Sequence, residues 1–289
     1  MKISSLFNKG NTVFSFEVFP PKKTSPIETI YNTLDELKDL SPDFISVTYG
    51  AGGNLSDSST CDIASIIKNK YKIEPVAHLT CVSCSKDDID SILLQFKENN
   101  IENILALRGD INPDFPPKND FKYASELITY IKSKGGFDLS GACYPEVHLE
   151  ASSKVEDVLN LKKKVDAGAE HLISQLFFDN NVFYDFVEKS KIAGINVPIE
   201  AGIMPVVSKN QIERMVSMCG ASLPAKFTKI MQRYEHNPEA LRDAGIAYAV
   251  DQIVDLVSNG VDGIHLYTMN NPYIARKISE SVSSIIRAK

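Results

Sequence analysis

Apolar residues fall into two alternating rhythms along this chain. Short runs rich in β-branched and aromatic residues occupy 12–19, 43–48, 75–80, 103–107, 139–144, 171–177, 197–203 and 263–267. They predict strands, and the amphipathic stretches between them predict helices. Several helix starts carry their own signals. Ser25-Pro26 places a cap and a first-turn proline before a helix over 27–40, and Ser85-Lys86-Asp87-Asp88 opens a helix over 89–99. Residues 220–236 read as an insertion before a long helix over 238–259. Three helix-to-strand junctions share one pattern: Asn100-Ile101-Glu102, Gly168-Ala169-Glu170 and Gly260-Val261-Asp262. In each, a residue tolerant of left-handed backbone ends the helix, then come a small or branched apolar residue and an acid. About eight repeated βα units are the signature of a closed (β/α)8 TIM barrel. A doubly wound sheet would show a glycine-rich first turn, but the first turn here is Pro20-Pro21-Lys22-Lys23 and no G-x-G-x-x-G occurs. No linker or low-complexity segment breaks the pattern, so residues 1–289 are read as one catalytic domain.

Composition narrows the function classes. Hydrophobic residues make up 43% and charged residues 24% of 289, enough for a full core. The net charge of −6 and the lack of a basic, aromatic-interleaved patch argue against a nucleic-acid binder. The longest basic run, Lys162-Lys163-Lys164, reads as a solvated helix face. No apolar run approaches the roughly 20 residues that span a bilayer, and Met1–Ser5 leads into no signal-peptide core. A cytoplasmic protein without membrane contact is expected. Scattered cysteines at 61, 81, 84, 143 and 219 fit a reducing compartment. Cys81-Val82-Ser83-Cys84 lacks the further ligands of a structural zinc site; it reads either as a thioredoxin-like pair or as two incidental thiols.

In such barrels the chemistry sits where the strands end. Glu17 interrupts Phe14-Ser15-Phe16-Glu17-Val18-Phe19 at a position that a core strand gives to Val or Leu. A buried acid with no cation beside it tends to keep its proton, which suits a proton donor. The alternative is a Glu17 that faces solvent or pairs with Lys22 or Lys23. The second run ends in Thr48-Tyr49-Gly50, the third in His78-Leu79-Thr80, the fourth in Arg108-Gly109-Asp110. The fifth gives Tyr144-Pro145-Glu146-Val147-His148, the sixth contains Gln175, and the eighth ends in Tyr267-Thr268-Met269-Asn270. Singly these have plain readings: His78 as a satisfied core histidine, Glu146 and His148 as an ion pair, Arg108-Gly109-Asp110 as a turn. Gln175 is harder to dismiss, because a buried amide must find partners. Together they predict an active site at the mouth. No strand interior holds the lysine of a Schiff-base aldolase, and no H-E-x-x-H or equivalent metal motif occurs, so no metal is expected. A lining of aromatics, amides and isolated acids suits a flat heterocycle such as a flavin or pterin.

These blocks, with Lys164-Val165-Asp166-Ala167-Gly168-Ala169 and His265–Asn270, stand in the order seen in methylenetetrahydrofolate reductases. The chain resembles that family from about residue 12 to about residue 280, most closely its short bacterial form without a regulatory domain. The resemblance implies a barrel carrying non-covalent FAD. NADH would reduce the flavin, which would in turn reduce 5,10-methylenetetrahydrofolate to 5-methyltetrahydrofolate at the same site, supplying methyl groups for methionine synthesis. It implies that Glu17 is the general acid that opens the folate ring at N10. Asp110 would lie beside the flavin and contact the pterin, and Gln175 would hydrogen-bond the pterin. Flavin contacts carry over to Thr48, Tyr49, His78, Arg108, Gly109, Asp110, Tyr123, Tyr144, His148, Ala151, Asp157, Asn160, Lys163 and Lys164. Thr48 also borders the substrate. Two of the three lysines in the basic run would then face the FAD phosphates. Family members form homo-oligomers.

Two positions depart from the family. Asn271 stands where an arginine usually helps hold the folate, and Lys209 stands where some members stack an aromatic on ligand. Lys209 would hold a folate glutamate tail, or the electron donor differs from plain NADH and involves a partner electron-transfer protein. Two other readings remain: a flavin-dependent barrel oxidoreductase related to proline dehydrogenase, and a flavin-carrying subunit that only passes electrons.

Overall fold

The computed structural model describes residues 1–21, 25–49, 59–111, 116–208, 210–212 and 219–288. Eight strands close a barrel in chain order, every neighbouring pair parallel. They are β1 (Val13–Val18), β2 (Phe44–Val47), β3 (Glu74–Thr80), β4 (Asn103–Leu107), β5 (Asp138–Cys143), β6 (His171–Ser174), β7 (Ile199–Ile203) and β8 (Gly263–Tyr267). Among the described residues the helices are α1 (Glu28–Leu37), α2 (Ser59–Asn69), α3 (Lys86–Glu98), α4 (Ala124–Lys134), α5 (Lys154–Ala167), α6 (Asn180–Ile192), α7 (Ala225–Tyr234), α8 (Pro238–Ser258) and α9 (Pro272–Ile286).

The strands sort their side chains by a period of two. On β1, Phe14, Phe16 and Val18 join the large cluster beneath the helices, while Val13 joins a smaller cluster inside the barrel. Ser15 and Glu17 share the face of Val13. A short 3₁₀ segment, Ile3–Lys9, sits against the inner cluster and adds Ile3, Leu6 and Phe7 to it. Polar ties fix it there: Asn103 Oδ1 accepts from Ile3 N at 3.0 Å and Asp138 Oδ2 from Ser4 N at 2.8 Å. The barrel is therefore packed with apolar side chains at one end and lined with polar ones at the other.

The helix ends follow the expected chemistry in most places. Asn100, Gly168 and Gly260 all have positive φ (61°, 120° and 76°), as the repeated junction predicts. Ser85 and Asp88 form a reciprocal capping box at the start of α3. At α1 the expected cap is not the one used. The helix starts at Glu28 with Ile27 as N-cap and no side-chain cap, Pro26 contributing only its carbonyl to Thr29 N. The sixth strand is also shorter than expected, ending at Ser174. Leu176 N is taken by Gln175 Oε1 at 2.9 Å, so the chain leaves the ladder there and Gln175 lies in the loop that follows. Residues 220–236 contain α7, which packs Phe227 and Met231 against Phe178 and Leu241.

Candidate active site

A cavity of about 480 Å3 opens at the C-terminal ends of the strands. Its lining includes Glu17, Thr48, Tyr49, His78, Arg108, Gly109, Asp110, Tyr144, His148 and Gln175, drawn from the ends of the first six strands and the loops after them. Its size is that of a small-molecule site.

Glu17 reaches the cavity with 18% of its side chain exposed. Its surroundings differ from the apolar, cation-free pocket expected. One carboxylate oxygen, Oε2, lies 3.5 Å from His78 Nε2 and 3.5 Å from His265 Nε2. Phe14 and Phe16, on the opposite face of the strand, pack edge to face with each other and do not shield the acid. Lys22 and Lys23, the suggested partners, lie outside the described residues. His78 is buried, and its Nε2 makes no hydrogen bond within the protein. Burial pushes His78 down to about 4, with the Glu17 charge opposing and His265 adding to the fall. Near neutral pH it is an uncharged imidazole.

Below Glu17 the interior holds a polar line absent from the expectations. His265 Nδ1 contacts Ser15 Oγ at 2.7 Å, and Ser15 Oγ contacts Glu200 Oε1 at 2.9 Å. Glu200 Oε2 meets His171 Nε2 at 2.9 Å, and His171 Nδ1 meets Ser140 Oγ at 2.7 Å. Ser15, Glu200 and His265 have no exposed surface, and His171 and Ser140 retain 1%. Gly263 makes room for this, since a Cβ there would lie 2.6 Å from Glu200 Cγ. The signal lay in the alternation: each is a polar residue at an inward position of an apolar strand. Singly, such residues read as noise.

The opposite flank is built from the loops after β3, β4 and β5. Arg108 O accepts from Cys81 N and Val82 N, tying two of these loops together. Between them Gly109 has φ +85°, and a Cβ there would meet Thr80 Cβ at 2.9 Å, so only glycine lets the backbone pass. The Arg108 guanidinium forms a two-pronged pair with Glu150, not with Asp110, which is exposed at the cavity edge. Val147, a β-branched residue, is held at φ +88° in the loop carrying His148, a strained conformation of the kind found at functional sites. Glu146 and His148 do not form the ion pair weighed above. Glu146 accepts from Ser222 N, while His148 Nδ1 accepts from Glu150 N at 3.1 Å. The Tyr144 ring stands edge-on to His148 at 4.7 Å.

The basic run divides three ways. Lys162 pairs with Asp166, and Lys163 reaches Asn160 Oδ1 at 2.9 Å. Lys164 turns inward and donates to Ala142 O at 2.7 Å, where burial lowers its pKa. Asp157 accepts from His148 N, and its pKa is raised by burial. Ala151 N donates to His148 O. Tyr123 is half exposed at the head of α4, outside the cavity lining. Asn271, the residue replacing the family's arginine, is the N-cap of α9, its side chain accepting from Ile274 N. Lys209 lies outside the described residues. Cys81 and Cys84 are buried free thiols pushed up to about 12 and about 11 by burial, unlike the low-pKa thiols of redox pairs.

Fold and site together define a (β/α)8-barrel enzyme with a carboxylic acid, imidazoles and an amide around one open cavity. The chain belongs to the methylenetetrahydrofolate reductase family, whose sequence model matches residues 2–283. The 5,10-methylenetetrahydrofolate reductase of Escherichia coli K12 is 37% identical over 274 residues, covering 95% of this chain and 92% of that protein. Methylenetetrahydrofolate reductase (NADH) 1 of Arabidopsis thaliana is also 37% identical, but the chain spans only 48% of its length. An uncharacterized Clostridium thermocellum protein, described as binding two copies of 5-methyl-5,6,7,8-tetrahydrofolic acid, shares the fold with a TM-score of 0.68 at 14% identity over 99% of both chains.

Proposed function

We propose that this protein reduces 5,10-methylenetetrahydrofolate to 5-methyltetrahydrofolate with electrons from NADH, using FAD held in the barrel mouth. The observation that carries this reading is Glu17, an acid placed between two imidazoles and facing a cavity that Asp110 and Gln175 also line. Two features fit the cofactor. His78 Nε2 is a buried polar atom in the cavity wall without a partner from the protein, and Gly109 lets backbone approach where a side chain would intrude. Bound FAD would supply the hydride carrier between the two substrates.

The chain's own residues do the rest. Opening the five-membered ring of the folate breaks the bond to N10, and that nitrogen must gain a proton as the bond breaks. Glu17 is the donor, leaving an electrophilic iminium at N5 of the folate. Gln175, whose Oε1 is held by Leu176 N, keeps its amide aligned toward the pterin. Asp110 at the cavity edge contacts the pterin N–H groups. Thr48, Tyr49, Arg108, Tyr144 and His148 line the cavity and would hold the flavin there. Lys163, Asn160, Asp157, Ala151, Tyr123 and Lys164 do not line the cavity, so as flavin contacts they would meet only a part of FAD that extends beyond it.

Glu17→Gln is expected to cut the folate half-reaction by at least about 100-fold, because only that half needs the acid. Reduction of the bound flavin by NADH should change far less. Stopped-flow measurement of both halves under anaerobic conditions tests this, and equal loss of both halves would make Glu17 structural. A colourless preparation that cannot be reconstituted with FAD defeats the reading altogether.

A further inference from the structure

We propose that Glu17 and Glu200 are the two ends of a proton line, Glu17–His265–Ser15–Glu200, which stores one proton inside the barrel and returns it to Glu17 between turnovers. The inference rests on the proton-donor role of Glu17 proposed above. It goes further by assigning a function to residues that touch neither substrate nor cofactor.

The hydrogen count makes the case. Ser15 has one hydroxyl proton and two strong neighbours, Glu200 Oε1 at 2.9 Å and His265 Nδ1 at 2.7 Å. When Glu200 is ionised, Ser15 donates to it and His265 holds a proton on Nδ1; a neutral His265 then turns a bare Nε2 toward Glu17. Glu17 then carries the proton. In the other arrangement Glu200 is protonated and donates to Ser15, Ser15 donates to His265 Nδ1, and His265 Nε2–H faces an ionised Glu17. One concerted shift connects the two states. The proton on Glu17 moves to His265 Nε2, the one on Nδ1 moves to Ser15 Oγ, and the one on Ser15 moves to Glu200 Oε1. Three bonds to hydrogen break and three form, no electrons change hands, and the line keeps one negative charge during the shift. Before turnover both Glu17 and Glu200 hold a proton, and donation to N10 leaves the second arrangement. The reverse shift restores the proton of Glu17 and leaves Glu200 ionised. A proton taken from solvent at the exposed Glu17 end then refills Glu200 by the same path.

The surroundings support a line built for this purpose. His171 Nε2 lies 2.9 Å from the second oxygen of Glu200, and Ser140 Oγ contacts the far side of that ring at 2.7 Å. Every internal member is at most 1% exposed, so bulk water does not short-circuit the path. The longest step, 3.5 Å, is at the mouth, where Glu17 keeps some exposure and its carboxyl group can turn. Ser46 Oγ, 3.4 Å from His265 Nε2, and His78 Nε2, 3.5 Å from Glu17 Oε2, flank that step.

Two measurements on the full-length chain test the line. The first uses ¹⁵N-labelled histidine, with the His265 signals identified by their loss in His265→Gln. Ser15→Ala and Glu200→Gln are each expected to change the balance of protonation between the two His265 nitrogens. Identical His265 nitrogen signals in wild type and both variants would overturn the proposal. The second compares half-reactions: Ser15→Ala should slow the folate half at least about tenfold, and more than it slows reduction by NADH. A folate half-reaction within about twofold of wild type overturns it too. If Ser15→Ala fails to fold, the near-isosteric Glu200→Gln carries both tests. If wild type shows no folate reaction at all, the proposed function fails, while the nitrogen signals still decide whether His265 is coupled to Glu200.

Discussion

His78 links the acid end of the site to the stability of the protein. Its folded pKa is lowered from 6.5 to about 4, chiefly by burial. Between those values the unfolded chain binds a proton that the folded chain does not. Stability therefore rises with pH across that window and falls as pH drops from about 6.5 toward 4. The full effect is on the order of 3 kcal/mol. Urea unfolding at pH 7 and pH 4.5 should show most of this loss in wild type and much less of it in His78→Gln; equal losses would place the pH effect elsewhere. At this scale the sequence told part of the story. Glu17, His78 and Gln175 stood out because each is conspicuous in its own run. Ser15, Glu200, His171 and His265 did not, since a single polar residue in a strand acquires meaning only once eight strands bring it beside the others. Lys164 shows the same limit: three adjacent lysines look alike in sequence, yet one of them is buried between its helix and strand β5.

Among the elements, those governed by neighbours in sequence were the most legible. The capping box of Ser85 with Asp88 and the left-handed junctions at Asn100, Gly168 and Gly260 follow from local chemistry and formed as expected. The start of α1 did not: Ser25 is exposed and makes no cap, and the helix begins at Glu28 behind a half-buried Ile27. Asn271 belongs to the local class as well. Its side chain caps α9 ahead of Pro272 at the first position, an arrangement an arginine would not supply. Asn271→Ala should cost about 1 kcal/mol of stability, and Asn271→Asp should restore most of it. Thermal unfolding of the two variants checks this; an unchanged midpoint for Asn271→Ala would mean that the cap contributes nothing.

For the whole molecule, closure of the barrel was readable from the number of βα units, but the filling of its base was not. Residues 3–9 are too few to show a periodicity, yet Ile3 is fully buried, Leu6 is 5% exposed and Phe7 stacks on His171 at 5.0 Å between ring centres. Leu6→Ala is expected to destabilise the protein by about 2–5 kcal/mol, as for other core leucines. Denaturant titration would detect this, and a loss below about 0.5 kcal/mol would show that the segment is dispensable. The plug also bears on how the molecule handles its reactants. Ile3, Leu6, Val13, Phe44, Val76, Leu105 and Ile173 fill the lower interior, so among the described residues the cavity above them is closed from below. Reactants that share a doorway must take turns. Under the proposed function a product still in place would exclude the next arrival, and a large excess of either substrate would crowd out the other. Such queueing would follow from the closed base of the barrel, at the end farthest from the chemistry.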